Sequence, residues 1–172
     1  MNKKTRKIVL LSILLSLAVI LGYVESLIPS IGIPGVKIGL ANIIILICVL
    51  NFRWYEALVV LLLRIILVSL ILGTFLNVGF FMSLSGGLLS FMVMIILAKI
   101  KIKFSIIFIS ISGAIAHSIG QIIVAILASN MVEVVYYLPF ILLLSIPTGI
   151  ITGIIASRIN KMKIWVNENE EN

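Results

Sequence analysis

Between residues 8 and 159 the chain is a succession of long apolar runs separated by short polar breaks. The runs cover approximately residues 8–27, 37–50, 54–72, 80–98, 104–127 and 134–159. About 20 apolar residues in a helix span a hydrocarbon layer of ~30 Å. In lipid the backbone must satisfy its own hydrogen bonds, so a spanning segment is a helix or part of a closed barrel. The runs here are continuous and too long for strands, which predicts helices. The expected fold is an all-α polytopic membrane bundle of about six transmembrane helices. Residues 1–172 form one transmembrane domain, with a basic segment at 1–7 and a polar tail at 164–172. The second run is short for a full crossing. Pro139 and Pro147 fall in the sixth, which predicts a kink or a break there. The first run follows a basic cluster, as in a signal peptide. No small-residue cleavage site follows it, so it reads as an uncleaved first helix.

Composition agrees. Hydrophobic residues make up 62% of the chain and charged residues 11%, whereas soluble domains carry about a quarter charged residues. A water-soluble or disordered protein is thereby excluded. The net charge of +7 does not indicate nucleic acid, because the basic residues sit in short clusters between apolar runs. Six helices in alternation put Lys3, Lys4, Arg6, Lys7, Arg53, Lys99, Lys101, Lys103, Arg158, Lys161 and Lys163 on one side. Only Lys37 falls on the other, and Arg64 lies inside a helix. The positive-inside rule then makes both termini cytoplasmic. Trp54, Tyr55 and Trp165 belong at the inner interface, and Tyr23, Tyr136 and Tyr137 near the outer one.

Several chemistries are absent from the sequence. All six acidic residues are glutamates, which removes aspartate-based magnesium sites, Walker B motifs, EF-hands and Ser-His-Asp triads. The lone Cys48 makes no internal disulfide, and the lone His117 leaves no histidine-rich zinc site. No phosphate-binding glycine-rich Lys-Ser/Thr loop is present, so ATP-driven work would need a separate ATPase. The expectation is a non-catalytic chain without cofactor or metal.

The polar residues inside the apolar runs carry the functional signal. Arg64 lies ten residues into the third run, about 15 Å along a helix. An arginine at that depth costs at least about 3 kcal/mol unless it faces the bundle or a wet cavity. Its guanidinium suits a carboxylate or phosphate; the alternative is a structural pair with Glu25. Glu56 is about 12 Å away along the axis, too far for a direct pair. Ser110, Gly113, His117 and Gln121 share one face of the fifth helix. His117 reads first as an interhelical hydrogen-bonder, with Gln121 the better ligand candidate. Asn42 is expected about one turn below the outer end of the second helix, with Lys37 at its start and Glu25 near the outer end of the first. Glu25, Lys37, Asn42, Arg64, His117 and Gln121 therefore share a depth between mid-bilayer and the outer face. They suggest either an outward pocket biased toward an anion or a dispersed set of contacts. Residues 28–36 form an apolar outer loop with two prolines and two glycines. It is either a lid over that pocket, carried by Pro34 and Gly35, or a stiff connector. Small-residue rows mark close helix contacts: Ser12 and Ser16, Ala18 and Gly22, Gly149, Gly153 and Ser157, and the Gly86-Gly87 pair.

Certain stretches resemble one bacterial membrane family. They are Pro34-Gly35-Val36-Lys37-Ile38-Gly39-Leu40-Ala41-Asn42, Glu56-Ala57-Leu58 leading to Arg64, Gly73-Thr74-Phe75, Ser83-Leu84-Ser85-Gly86-Gly87, and Gly113 to Gln121. Together they resemble the Gx transporter family, also labelled heptaprenyl diphosphate synthase component I, over roughly residues 27–157. That family is similar to the six-helix substrate-binding components of energy-coupling-factor transporters. The resemblance implies a multi-pass protein of the bacterial plasma membrane with a small-molecule pocket beneath its first loop. It also implies a docking row, Ser12 and Ser16, for a coupling transmembrane protein that works with ATPases. The second label implies instead a non-catalytic partner of a soluble prenyl synthase subunit. The leading expectation is a binding or transport subunit for a small anionic amphipathic molecule.

Overall fold

In the computed structural model, residues 2–27, 39–100, 102 and 104–162 are described. Six α-helices follow one another: α1 (Lys3–Leu27), α2 (Asn42–Asn51), α3 (Trp54–Ile71), α4 (Val78–Lys99), α5 (Ile106–Ser129) and α6 (Leu138–Asn160). A 3-10 helix, Val132–Tyr137, precedes α6. All except α2 are long and apolar enough to cross a membrane. At most 44% of any such span is buried within the protein, so each presents more surface outward than inward. Large apolar side chains such as Leu17, Leu70, Met92, Ile123 and Leu143 occupy the outward faces, as a lipid environment requires.

Local chemistry sets the helix ends. Glu56 accepts a hydrogen bond from the Arg53 N–H at 3.0 Å and closes the first turn of α3. Ser105 caps α5 by accepting from the Phe108 N–H at 3.1 Å. Asn130 ends α5 in the left-handed region, at φ 54°. The sixth run does not break as its prolines predicted. Pro139 sits in the first turn of α6, where its missing N–H costs nothing, and the helix continues through Pro147. The break falls earlier, at the 3-10 helix, so α6 starts at Leu138 and not near Val134.

The second helix departs most from expectation. It starts at Asn42, not near Lys37, and its 10 residues make it about 15 Å long. That is roughly half of a hydrocarbon layer of ~30 Å. Ile43 through Cys48 are all buried, and α2 contacts every other α-helix of the bundle. An all-round apolar sequence suits this central position.

Glycines set how closely the other helices approach. Lipid tails are as apolar as leucine, so close packing rather than water exclusion drives helices together in a membrane. A Cβ on Gly120 of α5 would lie 2.7 Å from the Gly86 Cα of α4. One on Gly86 would lie 2.7 Å from the His117 carbonyl oxygen. On α6, Gly149 and Gly153 would each come within 2.7 Å of an α5 Cα, those of Ile111 and Ile107. On α1, Ala18 and Gly22 are buried, with Gly22 against Val68 of α3. Ser12 and Ser16 lie on the exposed side of α1, where the Ser16 hydroxyl donates to the Ser12 carbonyl at 3.0 Å.

Two polar ties gather helix ends at one face. Lys7 of α1 pairs with Glu56 of α3 at 2.7 Å. Asn51 of α2 donates to the Asn160 side chain of α6 at 2.7 Å. Trp54 and Tyr55 are exposed at this basic end, while Tyr136 and Tyr137 are exposed where α6 begins. Trp165 lies outside the described residues. Gly120→Ala is expected to lower unfolding stability in detergent by about 1–3 kcal/mol through overpacking against Gly86. Gly79→Ala, whose added carbon meets nothing within 4 Å, should leave thermal unfolding almost unchanged.

Candidate functional site

α3 carries Arg64 into the bundle on its buried face with Val60, Leu61, Ile65 and Val68. The arginine is only 6% exposed. Its Nη2 lies 3.8 Å from where a Cβ would stand on Gly87 of α4, so the absent side chain leaves room for the guanidinium. Arg64 borders a cavity of about 30 Å³ together with Glu25, Gly39, Ser69, Thr74, Ser83 and His117, among others. Such a space holds roughly two water-sized groups, the scale of a carboxylate or one face of a phosphate.

Glu25 does not pair directly with Arg64. Its Oε1 accepts from the N–H of Gly39 and, at 3.2 Å, from the N–H of Leu40. The carboxylate acts on the guanidinium electrostatically, through space. Among the described residues Arg64 has neither an ion pair nor a hydrogen bond. Glu25 thus serves chiefly to hold the backbone where the chain leads into α2. Gly39 has a φ of +88°, which suits glycine because a Cβ there is strained. A Cβ would also stand 3.0 Å from the Asn42 Nδ2 and 3.6 Å from the His117 Cδ2.

The six pocket residues expected from sequence therefore divide. Arg64, Glu25 and His117 share the cavity. Gln121 is fully buried, but it packs on Gly86 of α4 and does not border this cavity. Asn42 is the first residue of the half-length α2, not one turn inside it. It borders a smaller chamber of about 10 Å³ with Gly39, Ser90, Ser110, Thr148 and Thr152. Lys37, Pro34 and Gly35 lie outside the described residues. Sequence reasoning did not assign Ser69, Thr74 or Ser83 to the first cavity, although Thr74 and Ser83 stand in the family-like motifs, nor Ser90, Thr148 and Thr152 to the second. Their signal was regular spacing: Ser83 and Ser90 seven apart on α4, Thr148 and Thr152 four apart on α6.

Among the described residues, no group of three or more His, Cys or Glu side chains could hold a metal ion. The cavity lining brings together one buried cation, the Glu25 carboxylate, hydroxyls and an imidazole. These features define a polytopic helical membrane protein with a cation-bearing polar cavity in its interior. The family model for heptaprenyl diphosphate synthase component I matches residues 14–159, and the chain belongs to that family. No curated protein and no solved structure matches the chain.

Replacing Glu25 tests its backbone role. Glu25→Ala leaves two buried N–H groups unmet and should cost about 1–3 kcal/mol. Glu25→Gln keeps an accepting oxygen and should cost less. Thermal unfolding in detergent measures both, and equal losses would count against the hydrogen-bonding role.

Proposed function

We propose that this chain is a non-catalytic, membrane-embedded binding or transport subunit for a small anionic amphipathic molecule. The carrying observation is Arg64: 6% exposed, bordering a cavity, with no ion pair or hydrogen bond among the described residues. A buried cation of this kind is costly. A carboxylate or phosphate on the guanidinium would offset that cost through charge-assisted hydrogen bonds. Glu25 moderates the positive potential without occupying the arginine's donors, which leaves them for a guest. His117, Ser69 and Ser83 would supply further polar contacts around the anion. Lys37 would draw anions toward the site, and Pro34 and Gly35 would cover it. Asn42 and Gln121 would orient the guest only if it reaches beyond the Arg64 cavity.

A second reading follows from the family match: a membrane component that works with a prenyl diphosphate synthase partner. Prenyl diphosphates are anionic and amphipathic, so they satisfy the same cavity chemistry. The chain has no aspartate, so the magnesium-binding aspartates of chain elongation would belong to the partner. A transport role would need a coupling protein and ATPases, for which Ser12 and Ser16 on the exposed side of α1 are the proposed contact. Multi-pass insertion in a bacterial plasma membrane, with the basic end cytoplasmic, fits either role.

Native mass spectrometry of protein extracted gently from its own membrane tests the first reading. The wild type should retain a small anionic molecule that Arg64→Ala lacks. The ligand-free variant should still fold, because Arg64 makes no ion pair or hydrogen bond among the described residues. A variant that fails to fold would make Arg64 structural. A ligand-free wild type in complex with a prenyl synthase would favour the second reading.

A further inference from the structure

The smaller chamber is built differently from the Arg64 cavity. α2, α4, α5 and α6 all contribute to it, and Gly39 borders both spaces. No charged residue is among its described lining. Ser90 is fully buried, and its Oγ has no hydrogen-bond partner. Both side-chain polar atoms of Asn42 are likewise buried and unpartnered. Buried polar groups nearly always have partners, and here several unmet ones meet in a single chamber.

The hydroxyl protons define what fits. Thr152 reaches the Gly149 carbonyl at 3.1 Å, and either hydroxyl can donate in its 2.7 Å contact with Ser110. Thr148 donates to the carbonyls of Leu144 and Ser145, each at 3.0 Å. The Thr148 hydroxyl therefore has only lone pairs to offer a guest, and the Ser110–Thr152 pair has at most one proton left over. The Ser90 hydroxyl and the Asn42 amide nitrogen remain as donors. A guest must both donate and accept. A full cation would face the positive N-terminal end of α2 without a counter-charge. A full anion would face a Thr148 oxygen whose proton is committed elsewhere and a Ser110–Thr152 pair that shares its protons. About 10 Å³ accommodates roughly one water-sized group.

We propose that this chamber is a second subsite for an uncharged hydroxyl or amide group, carried by the same guest whose anion sits on Arg64. The inference rests on the Arg64 reading and narrows it to bipolar molecules, anionic at one end and neutral but hydrogen-bonding at the other. A prenyl tail, all hydrocarbon beyond its diphosphate, leaves Ser90 and Asn42 unmet and is disfavoured in this position.

The test uses the full chain in lipid nanodiscs and calorimetric titration. The probes are short ω-hydroxycarboxylates and the unsubstituted carboxylates of the same chain lengths. At the matching length the hydroxylated acid should bind at least about tenfold more tightly than its parent, since a site built for a hydroxyl rejects analogues without one. Ser90→Ala and the near-isosteric Thr148→Val should each shrink that ratio while leaving the parent acid's binding unchanged. Arg64→Gln should weaken both series together. Equal binding within every pair means that the chamber holds only water and overturns the proposal, as does a ratio that survives both hydroxyl deletions. Failure of both series to bind, or binding indifferent to Arg64→Gln, sinks the Arg64 reading itself and the subsite with it. The parent acids thus report on the first cavity and the hydroxyl increment on the second.

Discussion

The arrangement depends on backbone that is not helical within a membrane bundle. Such backbone is tolerated only where its N–H and C=O groups find partners inside the protein. Glu25 supplies that partner, accepting from the N–H groups of Gly39 and Leu40. With the chain held there, α2 begins at Asn42 and runs as a half-length helix at the bundle centre. Both polar spaces meet at Gly39. One carboxylate thus secures the turn beside both spaces.

The rest of the bundle packs closely around that interior. α4, α5 and α6 approach at glycines, where any side chain would meet neighbouring backbone. Hydroxyl pairs cross the same contacts: Ser110 with Thr152 at 2.7 Å and Ser118 with Ser145 at 2.6 Å. In lipid such pairs add directional preference where apolar contacts alone have little. Against this frame the cation of Arg64 and the neutral groups of the second chamber occupy different positions. That separation is the basis of the proposal that the two ends of a guest are told apart by charge.

The polar residues show where sequence pattern stopped being informative. Arg64 was conspicuous because its charge in an apolar run demands compensation, and it lines a cavity. Gln121 shared a helix face with His117, yet one turn further along it meets Gly86 instead of the cavity. A helix face specifies a direction, not what stands opposite. Asn42 was misplaced because apolar residues continue before it, and composition does not mark where a buried helix begins. Ser90 and Thr152 went unnoticed because serine and threonine in membrane helices commonly bond back to their own carbonyls. Thr152 does so, whereas Ser90 does not.

The sequence by itself determined the all-helical membrane class, the number of helices, the basic end and the lack of aspartate chemistry. Each of these follows from run length, charge placement or residue inventory, which need no knowledge of neighbours. Only the tertiary structure decided that α2 is a central half-length helix, that Glu25 serves the backbone, and that the polar residues divide between two chambers. Those outcomes depend on which helices face each other and how closely their glycines allow them to approach. Contacts between residues far apart in the chain set them, and local periodicity does not encode such contacts.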